Sequence, residues 1–152
     1  MSEFEVKIVE LPRMRVASFY GFSEHPEDDA STAANKWLHK HGLLKKGAYR
    51  DFGFNNPNPS AGSPKYGYEV WILPNGEMPE DDETEYKEFA GGLYAVGKCN
   101  GLETIGQDWQ KLNAWRDASE YQCSEHQWLE EVLDPPVELK DLRFLLYLPI
   151  SK

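Results

Sequence analysis

The sequence predicts an α+β fold in which a strand–helix–strand–strand unit occurs twice, giving a curved, mostly antiparallel sheet with two helices on one face. Recurring strings are the first observation: 16–21 returns at 96–101, 35–37 at 113–115, and 68–74 at 143–149. The matching order of apolar patterns in the two halves is the second. Two copies of a small unit are expected to meet along a pseudo-two-fold seam, where a cleft suits a small-molecule ligand.

The first copy spans about residues 4–74. It is predicted to contain a strand at 4–22 that breaks at Pro12, a helix from about 28 to 41, and strands at 49–54 and 66–73. Asp28 and Asp29 suit the first turn of the helix, and Gly42 suits its end. Apolar residues at helical spacing, Trp37 among them, predict that one face of the helix packs in the core.

An acidic linker, residues 75–85, is predicted to be a solvated connection to the second copy, residues 84–150. The second copy is predicted to contain a strand pair or one long bent strand at 86–98, a helix at 105–118, and strands at 121–133 and 142–150. Trp109 and Trp115 lie on the apolar stripe of this helix and are assigned to the core. Residues 1–152 are therefore predicted to form a single domain.

The charge balance restricts the partners. The formal net charge is −10, from 26 acidic and 16 basic residues, and such a surface repels nucleic acid and favours cations. No apolar run approaches the roughly 20 residues that span a bilayer, and the acidic N-terminus lacks the features of a secretory signal. A cytoplasmic protein that binds neither nucleic acid nor membranes is expected, as a monomer or a homodimer.

Motifs for metal or cofactor chemistry are lacking in the sequence. There is no GxSxG elbow, P-loop or GxGxxG string. His39 and His41 are two residues apart on the predicted helix and point to different faces, so they do not form a metal pair. No metal and no cofactor are expected.

Several strings in the second copy resemble the GyrI-like family, which supplies the effector-binding domains of AraC/Rob-type and BmrR-type multidrug regulators. They are 89–96, Gly101, the helix that carries Trp109, Leu112 and Trp115, the run 129–135, and the ending 145–150. The resemblance covers nearly the whole chain. It implies a duplicated fold whose seam forms a ligand pocket lined by aromatic side chains.

The resemblance also implies a glutamate in that pocket. Aligned on Asp134-Pro135, this glutamate falls on Glu130, and Glu131 is the alternative one residue away. Trp128, Glu130 and Val132 share one face of the strand, and the aromatic residue on that face favours Glu130. The aromatic residues assigned to the pocket are Tyr147, Tyr68, Trp71, Trp128 and Tyr94.

A carboxylate among aromatic rings suits a lipophilic organic cation, since charge attraction and cation–π contacts add without demanding one shape. The sequence therefore predicts a stand-alone multidrug-type binding module, either a sensor or a sequestering protein. As a regulator it would need a separate DNA-binding partner. Some relatives resemble hydrolases of strained cyclopropane compounds, so the alternative is an enzyme with Glu130 as general base and Tyr147 as polariser.

Overall fold

The computed structural model describes residues 5–56, 58 and 60–152. Its strands are β1 Val6–Leu11, β2 Met14–Ser23, β3 Tyr49–Asn55, β4 Tyr66–Pro74, β5 Glu85–Phe89, β6 Gly92–Cys99, β7 Gln122–Cys123, β8 Leu129–Val132 and β9 Phe144–Ser151. The helices are α1 Pro26–Lys40 and α2 Ile105–Asp117. The orders β2–α1–β3–β4 and β6–α2–β8–β9 confirm the predicted α+β class with its repeated unit. The predicted start of the first copy, at residue 4, lies outside the described residues.

The chain divides into two compact units. The α1 unit comprises Arg15–Phe89 and Asp134–Pro136, and the α2 unit comprises residues 5–14, Ala90–Leu133 and Val137–Lys152. The predicted break at Pro12 thus separates β1, which belongs to the α2 unit, from β2. Likewise β5, the first strand of the second copy, belongs to the α1 unit. The first strand of each copy therefore lies in the unit that contains the other copy's helix.

In the α1 unit the strands are ordered β3–β4–β2–β5. Residues Ala17 of β2 and Ile72 of β4 pair in an antiparallel register, and both belong to the buried cluster under α1. The helix begins with proline in its first turn, followed by three acidic residues that suit the positive end of the helix dipole. Its buried residues are Pro26, Ala30, Ala34, Trp37 and Leu38.

In the α2 unit the strands are ordered β1–β6–β9–β8, and β7 pairs with the end of β9. The β1–β6, β6–β9 and β8–β9 pairs are all antiparallel. Helix α2 is anchored differently from α1, since its buried residues are Asp108 and Leu112. Around them, Ile105, Trp109 and Trp115 are only partly buried against the same cluster. These tryptophans therefore lie at the border of the core to which the sequence assigned them.

The predicted strand at 121–133 is wrong as a single element, because a loop separates β7 from β8. Side chains provide hydrogen bonds in this loop. The His126 ring places Nε2 2.7 Å from the Leu93 carbonyl oxygen and Nδ1 3.1 Å from Ser124 Oγ, and Gln127 Nε2 donates to the Trp128 carbonyl. Local bonds of this kind compete with a strand ladder.

One carboxylate of the acidic linker faces the protein rather than solvent. Asp81 Oδ2 accepts hydrogen bonds from Trp37 Nε1 at 3.0 Å and lies 3.1 Å from His41 Nε2, while Oδ1 accepts from the Glu83 N–H. Hydrogen bonds from the Thr84 side chain, His41, Glu83 and Trp37 hold the pKa of Asp81 well below its usual value. The linker is thereby fixed to the end of α1.

This contact predicts an acid-sensitive component of stability. Since the folded state lowers the pKa of Asp81, the stabilisation is complete above the ordinary pKa of 3.8 and is lost as pH falls through the folded value. Between pH 7 and pH 2, the wild type should therefore lose more free energy of unfolding than Asp81→Asn. Urea denaturation at a series of pH values measures both, and equal slopes below pH 4 would contradict the assignment.

In the described ranges no helix is both long and apolar enough to cross a membrane.

Candidate functional site

The alternation along β8 turns its two glutamates in opposite directions. Val132 packs against the cluster beneath α2, and Glu130, two residues before it, shares that face. Its Oε2 accepts a hydrogen bond from Trp109 Nε1 of the helix at 3.2 Å. Glu130, the first choice from the sequence, therefore lies on the α2 side of the strands.

Glu131 lies on the other face of β8. Its Oε1 accepts a hydrogen bond of 2.6 Å from the Tyr147 hydroxyl. Both side chains are buried, with 7% of Glu131 and 3% of Tyr147 exposed. The two residues meet because β8 and β9 are antiparallel neighbours, with Leu129 directly opposite Tyr147; Glu131 lies two residues further along the same face. The contact therefore follows from strand register.

Tyr94 of β6 packs against the tyrosine that bonds this carboxylate. Its ring centroid lies 5.4 Å from that of Tyr147, with the planes at 89°. The Tyr94 hydroxyl donates to the Gln127 carbonyl at 2.5 Å, and burial raises the pKa of Tyr94 above its ordinary value of 10.0. The phenol is therefore neutral at physiological pH, and the Tyr94 side chain is fully buried.

His126 packs against Tyr94 edge-on, with ring centroids 4.7 Å apart. A Cβ on residue 92 would come within 2.6 Å of the His126 ring, so glycine at the start of β6 lets the histidine approach the strand. The contacts of His126 hold the loop before β8 against β6, next to Tyr94.

Trp128 lies with Glu130 rather than with Glu131. It is 39% exposed, and its ring centroid is 5.2 Å from that of Trp109 in α2. Trp128 and Glu130 both contact Trp109, so the face that they share is turned towards the helix. In the α2 unit the predicted residues thus form two groups, Glu130 with Trp128 and Tyr147 with Tyr94, and Glu131 belongs to the second.

The two predicted residues of the α1 unit lie on opposite faces of β4. Tyr68 packs against the cluster beneath α1. Trp71 is buried on the other face, where its ring centroid lies 4.8 Å from Phe54 and 5.3 Å from Phe89. The structure therefore does not bring Tyr68 and Trp71 together.

A second buried carboxylate, Glu69, was missed from the sequence. It shares the Trp71 face of β4 and is 2% exposed. Its Oε2 accepts hydrogen bonds from Trp71 Nε1 at 2.6 Å, Lys87 Nζ at 2.7 Å and Ser18 Oγ at 2.8 Å, and Asn56 Nδ2 donates to Oε1 at 3.3 Å. The strict alternation of Glu69 and Trp71 was the signal that could have found it.

Opposing effects set the pKa of Glu69. Desolvation by burial raises this pKa. The hydrogen bonds from Lys87, Trp71 and Ser18, together with the Lys87 charge, lower it by a larger amount. The net result is a pKa below the ordinary value. The carboxylate is therefore ionised at physiological pH and paired with the lysine ammonium.

Two other features hold none of the predicted residues. An open depression of about 410 Å³ in the α2 unit follows the turn before β6, and its lining residues are Glu10, Leu11, Pro12, Arg13, Ala90, Gly91 and Gly92. Within the described part of the chain, the histidine, cysteine and acidic side chains form no group of three or more with the arrangement of a metal site.

Comparison with solved structures shows the fold. The C-terminal domain of EcmrR superposes with a TM-score of 0.69 at 9% identity, covering 99% of this chain and 99% of that chain. A hydrolase from Listeria innocua gives 0.64 at 10%, covering 99% and 94%. SAV2435, in a structure bound to tetraphenylphosphonium, gives 0.56 at 12%, covering 97% and 94%. No curated protein sequence matches the chain.

A family model carries the assignment further. The model described as Cass2, integron-associated effector binding protein, matches residues 7–150. The resemblance to GyrI-like effector-binding domains drawn from the sequence is thereby confirmed. The chain belongs to the Cass2 family of integron-associated effector binding proteins.

Proposed function

We propose that the effector bound by this chain is a lipophilic organic cation, and that Glu131 with Tyr147 and Tyr94 binds it. The observation that carries the proposal is a buried carboxylate that accepts a hydrogen bond from one tyrosine whose ring packs against a second. The proposal takes the alternative that the sequence left open, Glu131, in place of Glu130. The contact of Glu130 with Trp109 supports this choice.

Charge is the first physical reason. Removing a carboxylate from water costs several kcal/mol in real proteins, and a positive charge placed next to it offsets that cost. A cationic ligand that reaches Glu131 would supply such a charge. The formal net charge of −10 adds an attraction at longer range. A neutral molecule of the same shape lacks both contributions.

The aromatic rings are the second reason. A cation over the face of a neutral phenol ring gains roughly 0.5–2 kcal/mol, and apolar area on the ligand adds about 25 cal/mol per Å² buried. Neither contribution requires a particular outline, so flat or globular lipophilic cations can share one site. Tetraphenylphosphonium, the cation named in the SAV2435 structure, is therefore a suitable test ligand.

We expect the wild type to bind tetraphenylphosphonium saturably, and Glu131→Gln to bind it about tenfold or more weakly, a loss of about 1.4 kcal/mol or more. Glu130→Gln is the matched control, since it makes the same chemical change one residue away on the α2 side. Its affinity should stay within about threefold of the wild type. Isothermal titration calorimetry measures all three.

Triphenylphosphine oxide provides the neutral comparison, because it keeps three of the phenyl rings without the positive charge. It should bind more weakly than the cation, and Glu131→Gln should leave its affinity unchanged. Equal loss of cation binding in the two glutamine variants would remove Glu131 from the site. Equal binding of cation and neutral molecule by the wild type would remove the charge argument.

Equal binding of the cation and the neutral molecule would favour a hydrolase. Glu131 and Tyr147 are suited to that role as well. The Glu131 carboxylate could take a proton from water as the water oxygen bonds to a ring carbon and a cyclopropane C–C bond breaks, its electron pair moving onto a substrate carbonyl oxygen that the Tyr147 hydroxyl hydrogen-bonds. Return of the proton from Glu131 to the carbon released from the ring completes the addition of water. The 2.6 Å contact between the two side chains supports this alternative as well. Incubation with a strained cyclopropane compound, followed by mass spectrometry, would then show addition of one water molecule.

A further inference from the structure

We infer that the α1 unit contains a second cation site, formed by Glu69, Ser18 and Trp71, which takes protonated primary amines and is occupied in this structure by the ammonium group of Lys87. The inference does not depend on the role proposed for Glu131, since every residue that carries it belongs to the α1 unit. It adds a chemical class of ligand, the protonated primary amine, to the lipophilic cations considered above.

The site is already assembled around its carboxylate. Three donors converge on Glu69 Oε2 at 2.6–2.8 Å, and two of them, Trp71 Nε1 and Ser18 Oγ, are neutral. The neutral donors orient the carboxylate but do not balance its charge. The ammonium of Lys87 balances this charge. The position of its nitrogen therefore favours a cation that can also donate a hydrogen bond.

Lys87 reaches this position from the solvent side. Its side chain is 36% exposed, whereas that of Glu69 is 2% exposed. A second carboxylate, Glu85, lies 3.9 Å from the same ammonium and is 69% exposed. When the Lys87 ammonium is displaced from Glu69, a small movement of its flexible side chain brings it to the exposed carboxylate of Glu85.

The hydrogen bond determines the class of ligand. A primary ammonium carries three N–H donors and can reproduce the contact that Lys87 makes with Glu69. A quaternary ammonium has none, so it would leave Oε2 without its charged donor. An unbranched alkyl chain on the nitrogen has the shape of the lysine stem that it replaces. The site thus differs from one that binds quaternary or phosphonium cations through rings alone.

Chemical rescue tests the inference. Lys87→Ala removes three carbons and the nitrogen, which n-propylammonium restores atom for atom. We expect the variant to unfold at a lower temperature than the wild type. Millimolar n-propylammonium should raise its midpoint, by about 3–5 °C at roughly five times the dissociation constant. The shift in the wild type should be smaller, because the ligand must displace Lys87 there.

Three comparisons make the result specific. The alcohol n-propanol matches the chain without charge, tetramethylammonium matches the charge without N–H donors, and Lys87→Ala combined with Glu69→Gln removes the anion. None of the three should show this rise in the unfolding midpoint. Equal shifts with n-propylammonium in the single and double variants, or equal shifts with tetramethylammonium, would overturn the inference.

A variant that fails to fold still gives an answer. Lys87→Ala would then be refolded from urea with n-propylammonium, n-propanol or tetramethylammonium, and the recovered folded fraction measured by circular dichroism. Recovery with n-propylammonium alone supports the site, and failure with all three overturns it. Tetraphenylphosphonium titrations of Glu131→Gln report on the other site, so the two proposals can fail separately.

Discussion

Gly91→Ala is expected to lower the free energy of unfolding by about 3 kcal/mol or more. Gly91 has a φ of +83°, where a residue with a side chain costs of order 1–3 kcal/mol. The new Cβ would also lie 2.3 Å from the Leu11 carbonyl oxygen and 2.8 Å from backbone atoms of Pro12. These atoms cannot move easily, because β1 is paired with β6 along its whole length.

Gly106→Ala is the matched control for this substitution. A Cβ on Gly106 meets nothing within 4 Å, and the residue lies in the first turn of α2, where alanine is favoured over glycine by up to roughly 0.5–1 kcal/mol. The same chemical change should thus stabilise the protein at position 106 and destabilise it at position 91. Urea denaturation measures both, and a loss below about 1 kcal/mol for Gly91→Ala would contradict the rigid contact with β1.

Element positions were predictable because strong local signals mark them. The helix predicted at 105–118 is found at Ile105–Asp117, and the strand predicted at 49–54 is found at Tyr49–Asn55. Proline and glycine fix several ends, as Pro12 does between β1 and β2. A local signal does not say which strands pair, however, and the membership of β1 in the α2 unit follows from its pairing with β6.

Which of the two glutamates in β8 faces the helix could not be predicted, for a related reason. Both faces of the strand carry apolar residues, so alternation alone does not say which face packs against the helix. The indole of Trp109 decides it, by donating to Glu130. That contact joins residues 21 positions apart and depends on how α2 lies over the strands, which the sequence pattern does not specify.

The repeat itself gave a similar ambiguity. When the prolines that end 68–74 and 143–149 are aligned, Trp71 is the counterpart of Leu146. Leu146 packs beneath α2, but Trp71 lies on the face of its strand away from α1. A slip of one residue between two strands exchanges their faces. The contact between Lys87 and Glu69 could not be predicted either, because the two residues are 18 positions apart and lie on different strands.

Leu112→Ala should give the other large loss, about 2–5 kcal/mol. Leu112 is 0% exposed. All residues of α2 are described by the structure, and Leu112 is the apolar residue among them that is fully buried. Removing its side chain leaves a cavity beneath a helix whose other apolar residues are partly exposed. Gln110→Ala is the control, because this exposed neighbour should change stability by less than about 0.5 kcal/mol.

The same variant separates the stability of α2 from ligand binding. Glu131 lies on the face of β8 turned away from α2, so Leu112→Ala should weaken the fold without changing the site proposed for the cation. At 100 times its dissociation constant, tetraphenylphosphonium should add about 2.7 kcal/mol to the free energy of unfolding of both wild type and variant. Urea denaturation with and without the cation measures this increment. An increment that vanishes in Leu112→Ala while Gln110→Ala retains it would show that helix packing, rather than strand register alone, holds Glu131 in place.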